Sequence, residues 1–387
     1  AFQPNLVLKM VILKQFENNG TAIITRDTDV RDVLNRHETF VTVYGPRMEE
    51  LTNGQNFFLG MRSTPTRTRD VANMRLSIRR EDIAEILIPK ARAASEQIVT
   101  AADGSIDLPP ALSQHIPYRI VADYFGFPGP SEKVMVDWTT SIFWYLFLDL
   151  SNDEAVIKRA LDAAAQMRDY LDGAIAERKA NPTDTVDVLN RCLTLQRAGQ
   201  PGMDDTGIRN YMIGMLTGAI PTLNKSCCQI VDELLKRPDK LRAAEQAARL
   251  GSDEVFRAYL FEAFRFNPMN PMIYRRADTD TVVAPGTLRE RRIQKGTMVL
   301  AANLSAMFDR QSVKAPNQFR LDRPWEDYIL WGHGMHTCFG GYINFGVIPP
   351  MLRPLLAQGS LRRAPGAAGQ IDSQDTPFPW HFHLQWG

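Results

Sequence analysis

The residues best suited to chemistry lie in the glycine-rich stretch 331–341, here called the cysteine loop, which places Cys338 just before an apolar run. Its glycines, at 332, 334, 340 and 341, permit sharp bends and a close backbone approach to a flat ligand, because glycine has no Cβ. A helix starting near Phe339 would favour the thiolate through its unpaired N–H groups and positive dipole end. The pattern therefore predicts that Cys338 is a soft anionic ligand for a metal.

A second candidate is the pair Glu262 and Arg265, whose spacing of three places both side chains on one face of a helix. Exposed pairs of this kind are common and contribute little to stability. Here the flanking residues are apolar, which predicts a partly buried pair that needs further partners. Arg323 lies downstream, in an irregular segment shortly before the cysteine loop.

The third candidate region is an apolar pattern of helical spacing from about 206 to 237, which predicts one long central helix. Pro221 lies inside it, removes a backbone donor and crowds the carbonyl of Thr217. Because the pattern continues beyond the proline, we predict a kink rather than an end. Thr222 and Asn224 would add polar groups at the kink, where a small polar molecule could bind; a kink without function is the alternative.

The elements that must position these residues are mostly helical. Helical patterns cover 131–150 and 154–179, Asp29 is predicted to cap an early helix, and 44–59 is predicted to be a loop. Short β-branched runs at 22–25, 272–275, 281–283 and 298–300 predict strands. The aromatic run 143–147 is more typical of a core than of a ligand contact. We therefore expect a mainly α protein with a small β region.

Composition limits the function classes. The 387 residues are 44% hydrophobic and 23% charged, which is typical of a globular chain with a large core, and we expect a single domain over 1–387. A net charge of +1 gives no general attraction to nucleic acid or to an acidic membrane. The longest apolar run, 142–148, is far short of the ~20 residues of a membrane span. Four cysteines and no signal-peptide pattern favour a cytoplasmic protein.

Taken together, these motifs resemble the cytochrome P450 family. In the cysteine loop, Gly334, His336, Cys338 and Gly340 match the haem-binding signature, although Trp331 stands where phenylalanine is usual. Glu262 and Arg265 match the Glu-x-x-Arg motif, and Arg323 matches the arginine that completes this triad. Residues 21–34 and 37–40 also look like the early strand and helix of bacterial members. The motifs occur in the right order, so the resemblance covers nearly the whole chain.

The resemblance implies a triangular helical body with the haem between the long central helix and the cysteine loop. The cofactor would be haem b with Cys338 as its axial thiolate. His336, Arg275 and Arg69 would bind the haem propionates. Six arginines occur between positions 62 and 80, with only Asp70 opposing them. This basic face could be a solvated helix surface, but the resemblance favours a docking surface for a ferredoxin or flavoprotein reductase.

The sequence departs from the family pattern at several positions. Pro65 stands where a histidine usually provides a propionate contact, and Pro221 stands where an acid usually precedes the proton-delivering threonine, here Thr222. The pair at 349–350, both proline, is expected to interrupt the helix that follows Cys338. The N-terminal part is also short for the family, as in a truncated chain or a piece of a fusion.

The resulting hypothesis is a monooxygenase that oxidises a small apolar organic molecule with O2 and electrons from a redox partner. Thr222 and Asn224 would deliver protons, and the substrate pocket would include Phe143, Ala219, Pro221 and Met272. An alternative, motivated by Pro221, is a peroxygenase or hydroperoxide-rearranging enzyme. A haem sensor or electron carrier is a third alternative, which four apolar segments able to line a pocket make less attractive.

Overall fold

The computed structural model describes residues 20–387, and these form a mainly helical body with a small β region, as predicted. The α-helices, in chain order, are α1 Asp27–Asn35, α2 Gly45–Leu51, α3 Pro65–Ser77, α4 Ile88–Ala101, α5 His115–Arg119, α6 Glu132–Phe143, α7 Glu154–Ala180, α8 Val188–Arg197, α9 Asp205–Leu235, α10 Pro238–Leu250, α11 Asp253–Phe266, α12 Asn303–Ala306 and α13 Gly341–Ala357. Four π-helical turns adjoin them, at Ile83–Leu87, Pro109–Ser113, Ile120–Tyr124 and Trp144–Leu148.

Nine short strands form three small sheets among the described residues. The strands are β1 Thr21–Ile24, β2 Phe40–Val41, β3 Ser105–Asp107, β4 Ile273–Ala277, β5 Thr281–Val283, β6 Arg291–Ile293, β7 Met298–Ala301, β8 Arg362–Arg363 and β9 His383–Gln385. The largest sheet has the order β1-β7-β4-β2, with β1 parallel to β7 and the other pairs antiparallel. The other sheets are β3-β9-β8 and the hairpin β5-β6.

Helix α9 is the long central helix predicted from the apolar pattern. Its N-terminus is capped by Asp204, whose carboxylate accepts a hydrogen bond from the backbone N–H of Gly207 at 2.8 Å. The helix packs against α6, α7 and α11, and residues along its whole length are buried in one continuous apolar core. It continues through Pro221, since burial of residues on both sides offsets the lost backbone bond.

Two early predictions were wrong in detail. Helix α1 begins at Asp27, after Arg26 at the cap position, so Asp29 lies in the first turn and does not cap the helix. The predicted loop at 44–59 contains α2, with Pro46 in its first turn. Proline is compatible with that position because the first N–H groups of a helix have no partner inside the helix.

The predicted interruption after Cys338 is also wrong. Helix α13 runs without a break through Pro349, Pro350 and Pro354. Its face against α4 is apolar and fully buried, including Val347 and Met351, and this packing holds the helix together. Ser95 on α4 donates a hydrogen bond of 2.6 Å to the backbone carbonyl of Met351, which ties the two helices together. Within residues 20–387, no helix has the length and apolar character needed to cross a bilayer.

Candidate active site

The cysteine loop is a tight turn held by its own backbone. The N–H of Cys338 donates to the carbonyl of Trp331 at 2.8 Å, and one 3-10 turn covers Gly334–His336. Gly334 has φ +73°, and a Cβ there would lie 2.9 Å from the carbonyl oxygen of Leu34, so the turn requires glycine. Trp331, which stands where phenylalanine is usual, packs edge-on against Phe261, with 5.6 Å between the ring centres.

The sulfur of Cys338 faces an internal cavity. The residue is accessible from this cavity, which lies inside the protein between the cysteine loop and helix α9. Burial raises the pKa of the thiol, while the backbone N–H groups of Gly340 and Gly341 act in the opposite direction. These N–H groups lie at the start of α13, as expected for a loop that favours an anionic ligand.

Three buried nitrogen atoms near the cavity have no hydrogen-bond partner within residues 20–387. They are Nε of Arg67, Nε of Arg275 and Nδ1 of His336. Burial, followed by the charges of Arg275 and Arg67, lowers the pKa of His336 to about 3, so its ring is neutral at neutral pH. A buried donor without a partner costs about 1–3 kcal/mol, and more when it is charged. These three residues, here called the cavity cations after the two arginines although His336 is neutral, therefore fit a ligand that carries carboxylates.

Arg67 rather than Arg69 belongs to this cluster. Neither arginine is among the residues that line the cavity, but Arg67 is close enough to His336 for its charge to lower the pKa of that ring. The guanidinium of Arg69 is already paired, because it hydrogen-bonds its neighbour Asp70 at 2.8 Å. Arg67 instead donates to the backbone carbonyl of Met335 in the cysteine loop at 2.8 Å. Both residues lie on α3, and their side chains point about 200° apart because they are two positions apart on a helix. A match to a sequence motif does not show which of the two directions leads toward the cavity.

The structure brings Glu262, Arg265 and Arg323 together in a fully buried cluster. Arg265 makes two hydrogen bonds to the Glu262 carboxylate, of 3.0 and 2.8 Å, and Arg323 makes one of 2.9 Å. The hydroxyl of Tyr328 and the backbone N–H of Arg320 also donate to this carboxylate, each at 3.0 Å. Burial opposes ionisation of Glu262, but these donors outweigh it and lower its pKa. The cluster fixes the segment before the cysteine loop.

The polar residues of the central helix divide into two groups. Thr222 lines the cavity, and its hydroxyl donates to the carbonyl of Gly218. Asn224 faces away from the cavity: its Oδ1 accepts from Ser113 Oγ at 2.7 Å, and its Nδ2 donates to the Pro379 carbonyl at 2.8 Å. Its buried side chain is thus occupied in joining α9 to other elements. The prediction that Asn224 is at the reacting centre is therefore not supported by its position.

The cavity wall includes some predicted residues and excludes others. Phe143 and Ala219 line it, but Pro221 and Met272 do not. Pro221 is buried but is not among the lining residues, and Met272 packs against Met298 and Leu300 in a separate small cluster. Their neighbours in sequence, Thr222 and Ile273, line the cavity instead, because one step along a helix or strand changes the face.

Sequence reasoning did not single out several residues of the wall. Thr217 lines the cavity, and its buried hydroxyl has no partner among the described residues. Tyr44 lies beside Arg275, and burial raises the pKa of its hydroxyl. The sequence pattern drew attention to Thr217 only through its backbone carbonyl. It indicated a loop at 44–59 but did not distinguish Tyr44 from the other aromatic residues of that stretch. The other apolar residues of the wall include Phe57, Phe58, Leu146, Phe147, Met215, Leu223, Met269, Leu330 and Ile343.

The residues present fit a thiolate-ligated haem. The cysteine sulfur opens onto the cavity, and Gly340 lies beside it in the cavity wall without a side chain. The cavity cations supply donors for carboxylates at the cavity edge. Apolar side chains form most of the remaining wall, as in a site that binds an apolar ring and an apolar substrate.

Comparisons with known proteins agree with this geometry. The family model described as Cytochrome P450 matches residues 11–342. Cyclomarin C epoxidase of Salinispora arenicola is 27% identical over 251 residues, which cover 65% of this chain and 60% of that protein. Mycinamicin IV hydroxylase/epoxidase of Micromonospora griseorubida is 26% identical over 328 residues, which cover 82% and 77%. The matched part thus spans about 60% of the cyclomarin C enzyme and more of the mycinamicin enzyme.

Solved structures share the fold over nearly the full length. A mutant of P450 EryK in complex with erythromycin B superposes with a TM-score of 0.76 at 23% identity, covering 96% of this chain and 92% of that one. CYP109E1 from Bacillus megaterium, in complex with testosterone, gives a TM-score of 0.78 at 17% identity, with coverage of 95% and 92%. The predicted fold class is therefore confirmed. The chain belongs to the cytochrome P450 family.

Proposed function

We propose that this protein is a haem-thiolate monooxygenase that inserts one oxygen atom from O2 into an apolar organic molecule. The observation that carries this proposal is the cavity itself, which brings the Cys338 sulfur, Arg275, His336 and an apolar wall into one space, with Arg67 near His336. A sensor or electron carrier needs no such wall. The relatives named as an epoxidase and a hydroxylase/epoxidase support the same class of reaction.

The cofactor in this proposal is haem b, whose two propionates match the cavity cations. Arg275 and His336 would hold propionates from the cysteine-loop side, and Arg67 would do so from α3. When bound, the haem would supply the redox chemistry that activates oxygen, and the Cys338 thiolate would donate electron density to its iron. Neutralisation of buried cations by carboxylates gives short, charge-assisted hydrogen bonds, so the chain's own charges would fix the orientation of the cofactor.

The chain's residues would then bind and orient the substrate. Phe143, Phe147 and Leu146 come from one helix end, while Met215 and Leu223 come from α9 on the adjacent wall. These groups exclude water and give a substrate a shaped apolar surface. Three alcohol side chains of α9 line the wall, those of Thr217, Thr222 and Ser226, and we assign proton transfer to Thr217 and Thr222 rather than to Asn224.

One observation favours a second candidate, a peroxygenase. Within the described residues, no Asp or Glu lines the cavity, and Pro221 occupies the position where the family usually has an acid. An enzyme that takes peroxide receives its oxygen already reduced, so it depends less on a carboxylate that delivers protons. Hydroperoxide rearrangement has the same motivation.

The redox partner would dock on the basic face formed by residues 62–80, which includes α3 and the segment after it. Arg75, Arg79 and Arg80 are exposed and have no carboxylate partner within residues 20–387, whereas Arg62 is paired with Asp278 at 2.8 Å. Arg80 lies 3.9 Å from the ring centre of Tyr342, which is 57% exposed and lies four residues after Cys338. A basic and aromatic surface next to the thiolate is suited to an acidic ferredoxin or flavoprotein reductase.

Two measurements test the proposal. In the first, the reduced protein is treated with carbon monoxide; the absorption band of the thiolate-ligated state should appear and should vanish in Cys338→Ala. Retention of the band would refute the ligand assignment. In the second, product formation is compared between NAD(P)H with a ferredoxin system and hydrogen peroxide alone, using erythromycin, mycinamicin IV and testosterone among the screened molecules. Product with peroxide alone would favour the peroxygenase.

A further inference from the structure

A histidine and carboxylate cluster lies on the small β3-β9-β8 sheet, outside the cavity. Its members are Asp107 on β3, His383 on β9 and His381 just before β9. Asp107 Oδ2 is 2.6 Å from His381 Nδ1 and 3.7 Å from His383 Nε2. All three ligand atoms lie within 4.8 Å of one another. Both imidazoles are about half exposed, so an ion from solvent can reach them.

The sheet geometry holds these side chains on one face. Asp107 is paired with His383 in the antiparallel register of β3 and β9. His381 is two residues earlier and so points to the same side, whereas Phe382 between them is fully buried. The two imidazole rings are nearly parallel, with an interplanar angle of 5° and centres 6.1 Å apart. The chain therefore presents two ring nitrogens above one carboxylate.

The carboxylate is already oriented for ligation. Oδ1 of Asp107 accepts a hydrogen bond from the backbone N–H of Phe382 at 2.8 Å, which leaves Oδ2 facing the imidazoles. Such a bond from the protein to the second oxygen of a ligating carboxylate is the usual means of fixing its direction. Oδ2 of Asp107 lies near two imidazole nitrogens at once, whereas an ion pair needs only one.

We propose that Asp107, His381 and His383 bind a divalent transition-metal ion of the Zn²⁺ type, with water completing the coordination. Two imidazole nitrogens and one carboxylate oxygen form a donor set that zinc accepts, and bond lengths of about 2.0–2.2 Å place such donors roughly 3.3 Å apart. The His383 separation is already close to that value. The separation between Asp107 and His381 must widen by less than about 1 Å, which a half-exposed imidazole achieves by rotation.

The site would affect the wall of the cavity. The segment before His381 contains Pro379, whose carbonyl accepts from Asn224 of α9, and Phe378, whose ring lies 5.9 Å from that of Phe143. Phe143 lines the cavity. A metal ion that joins β3 to β9 would thus restrain the chain segment that supports this wall.

The test is Zn²⁺ titration of the full, cofactor-loaded chain, tag-free and freed of metal by a chelator, followed by calorimetry. One site with a micromolar Kd is expected, and His381→Ala and His383→Ala should each weaken it about tenfold or more. His115→Ala is the matched control. His115 is also partly exposed and lies 2.9 Å from Glu132, but among residues 20–387 it belongs to no cluster of three potential metal ligands. The control should bind Zn²⁺ like the natural chain.

Two further measurements separate loss of binding from loss of folding. Melting in the presence of chelator should be similar for the natural chain and for Asp107→Asn, whereas Zn²⁺ should raise the melting temperature of the natural chain only. Zn²⁺ should also slow amide hydrogen exchange at 105–107 and 381–385. Absent binding, binding unchanged in both histidine variants, or equal weakening in His115→Ala would overturn the proposal.

Discussion

Two groups of cations, one fully buried and one that includes the half-buried Arg67, have opposite surroundings in this protein. Arg265 and Arg323 surround the carboxylate of Glu262, which accepts five hydrogen bonds, so the group is electrically paired by the chain itself. The cavity cations Arg67 and Arg275, with neutral His336, have no carboxylate among the described residues, and one nitrogen of each lacks a partner. The first group is complete on folding, whereas the second is incomplete.

The difference shows which cations maintain the fold and which serve a ligand. A buried charge that is paired and hydrogen-bonded holds segments together, and removal of one partner is costly. A buried cation without an anion lowers stability, so its presence is explained by a ligand that supplies the charge. The triad therefore holds the fold together by itself, whereas the cavity cations are the residues that the proposed cofactor would neutralise.

The largest expected effect is from Arg265→Ala. It leaves the buried Glu262 carboxylate without two of its hydrogen bonds and should lower the free energy of unfolding by about 3–5 kcal/mol. The loss should be similar with and without cofactor and is measured by urea unfolding of both forms. Arg257→Ala, on the same helix but outside the triad, is the control and should cost clearly less. A loss seen only in the loaded form would show that the triad is not self-contained.

Arg275→Gln should behave in the opposite way. In the cofactor-free chain it removes an unpaired buried charge and should not lower the free energy of unfolding. In the loaded chain it removes a charge-assisted hydrogen bond worth about 2 kcal/mol, so release of haem to an acceptor protein should be roughly thirtyfold faster. Arg276→Gln, the next residue on β4, points to the other face and should leave the release rate unchanged. Equal release from both variants would remove Arg275 from the cavity cations.

Asn224→Ala sharpens the distinction between structural and functional polar groups. Loss of its bonds to Ser113 and Pro379 should reduce the free energy of unfolding by about 1–3 kcal/mol. Product formed per loaded protein should stay the same, because the side chain faces away from the cavity. Thr222→Ala is the comparison, because Thr222 lines the cavity. This variant should fold normally and give an altered product yield. If Asn224→Ala is stable but inactive, proton transfer through Asn224 would be restored as the explanation.

The smallest effect is the pH-dependent part of the stability that Glu262 contributes, because it appears only in acid. Its pKa in the folded protein lies below the ordinary value of 4.5, so its ionisation contributes stability that is complete above that pH. This contribution is lost as the pH falls below about 4.5 toward the folded pKa, where the carboxylate takes up a proton. Glu262→Gln should therefore be less stable at neutral pH and should show a flatter decline in acid. Melting curves between pH 7 and 3 measure the difference.

Much of the site could be predicted because its residues are close together in sequence. Gly334, His336, Cys338 and Gly340 belong to one loop, and Glu262 and Arg265 belong to one helical turn. The errors were of two kinds. Asn224, Pro221 and Met272 do not line the cavity and Arg69 is paired with Asp70, while the prolines of α13 were expected to end a helix that tertiary packing maintains. Local patterns give spacing, but the rotation of an element depends on contacts with distant segments.

The sequence by itself determined the cysteine loop, the pair Glu262 and Arg265 and the long central helix, because each depends on residue types at short spacings. Only the tertiary structure decided which groups meet across the chain. It brought Arg67 to the cysteine loop, turned Thr217 and Thr222 toward the cavity, and placed Asp107 opposite His383. Those outcomes depend on how helices and strands from distant segments pack, and packing minimises exposed apolar surface over the whole chain rather than within any one motif.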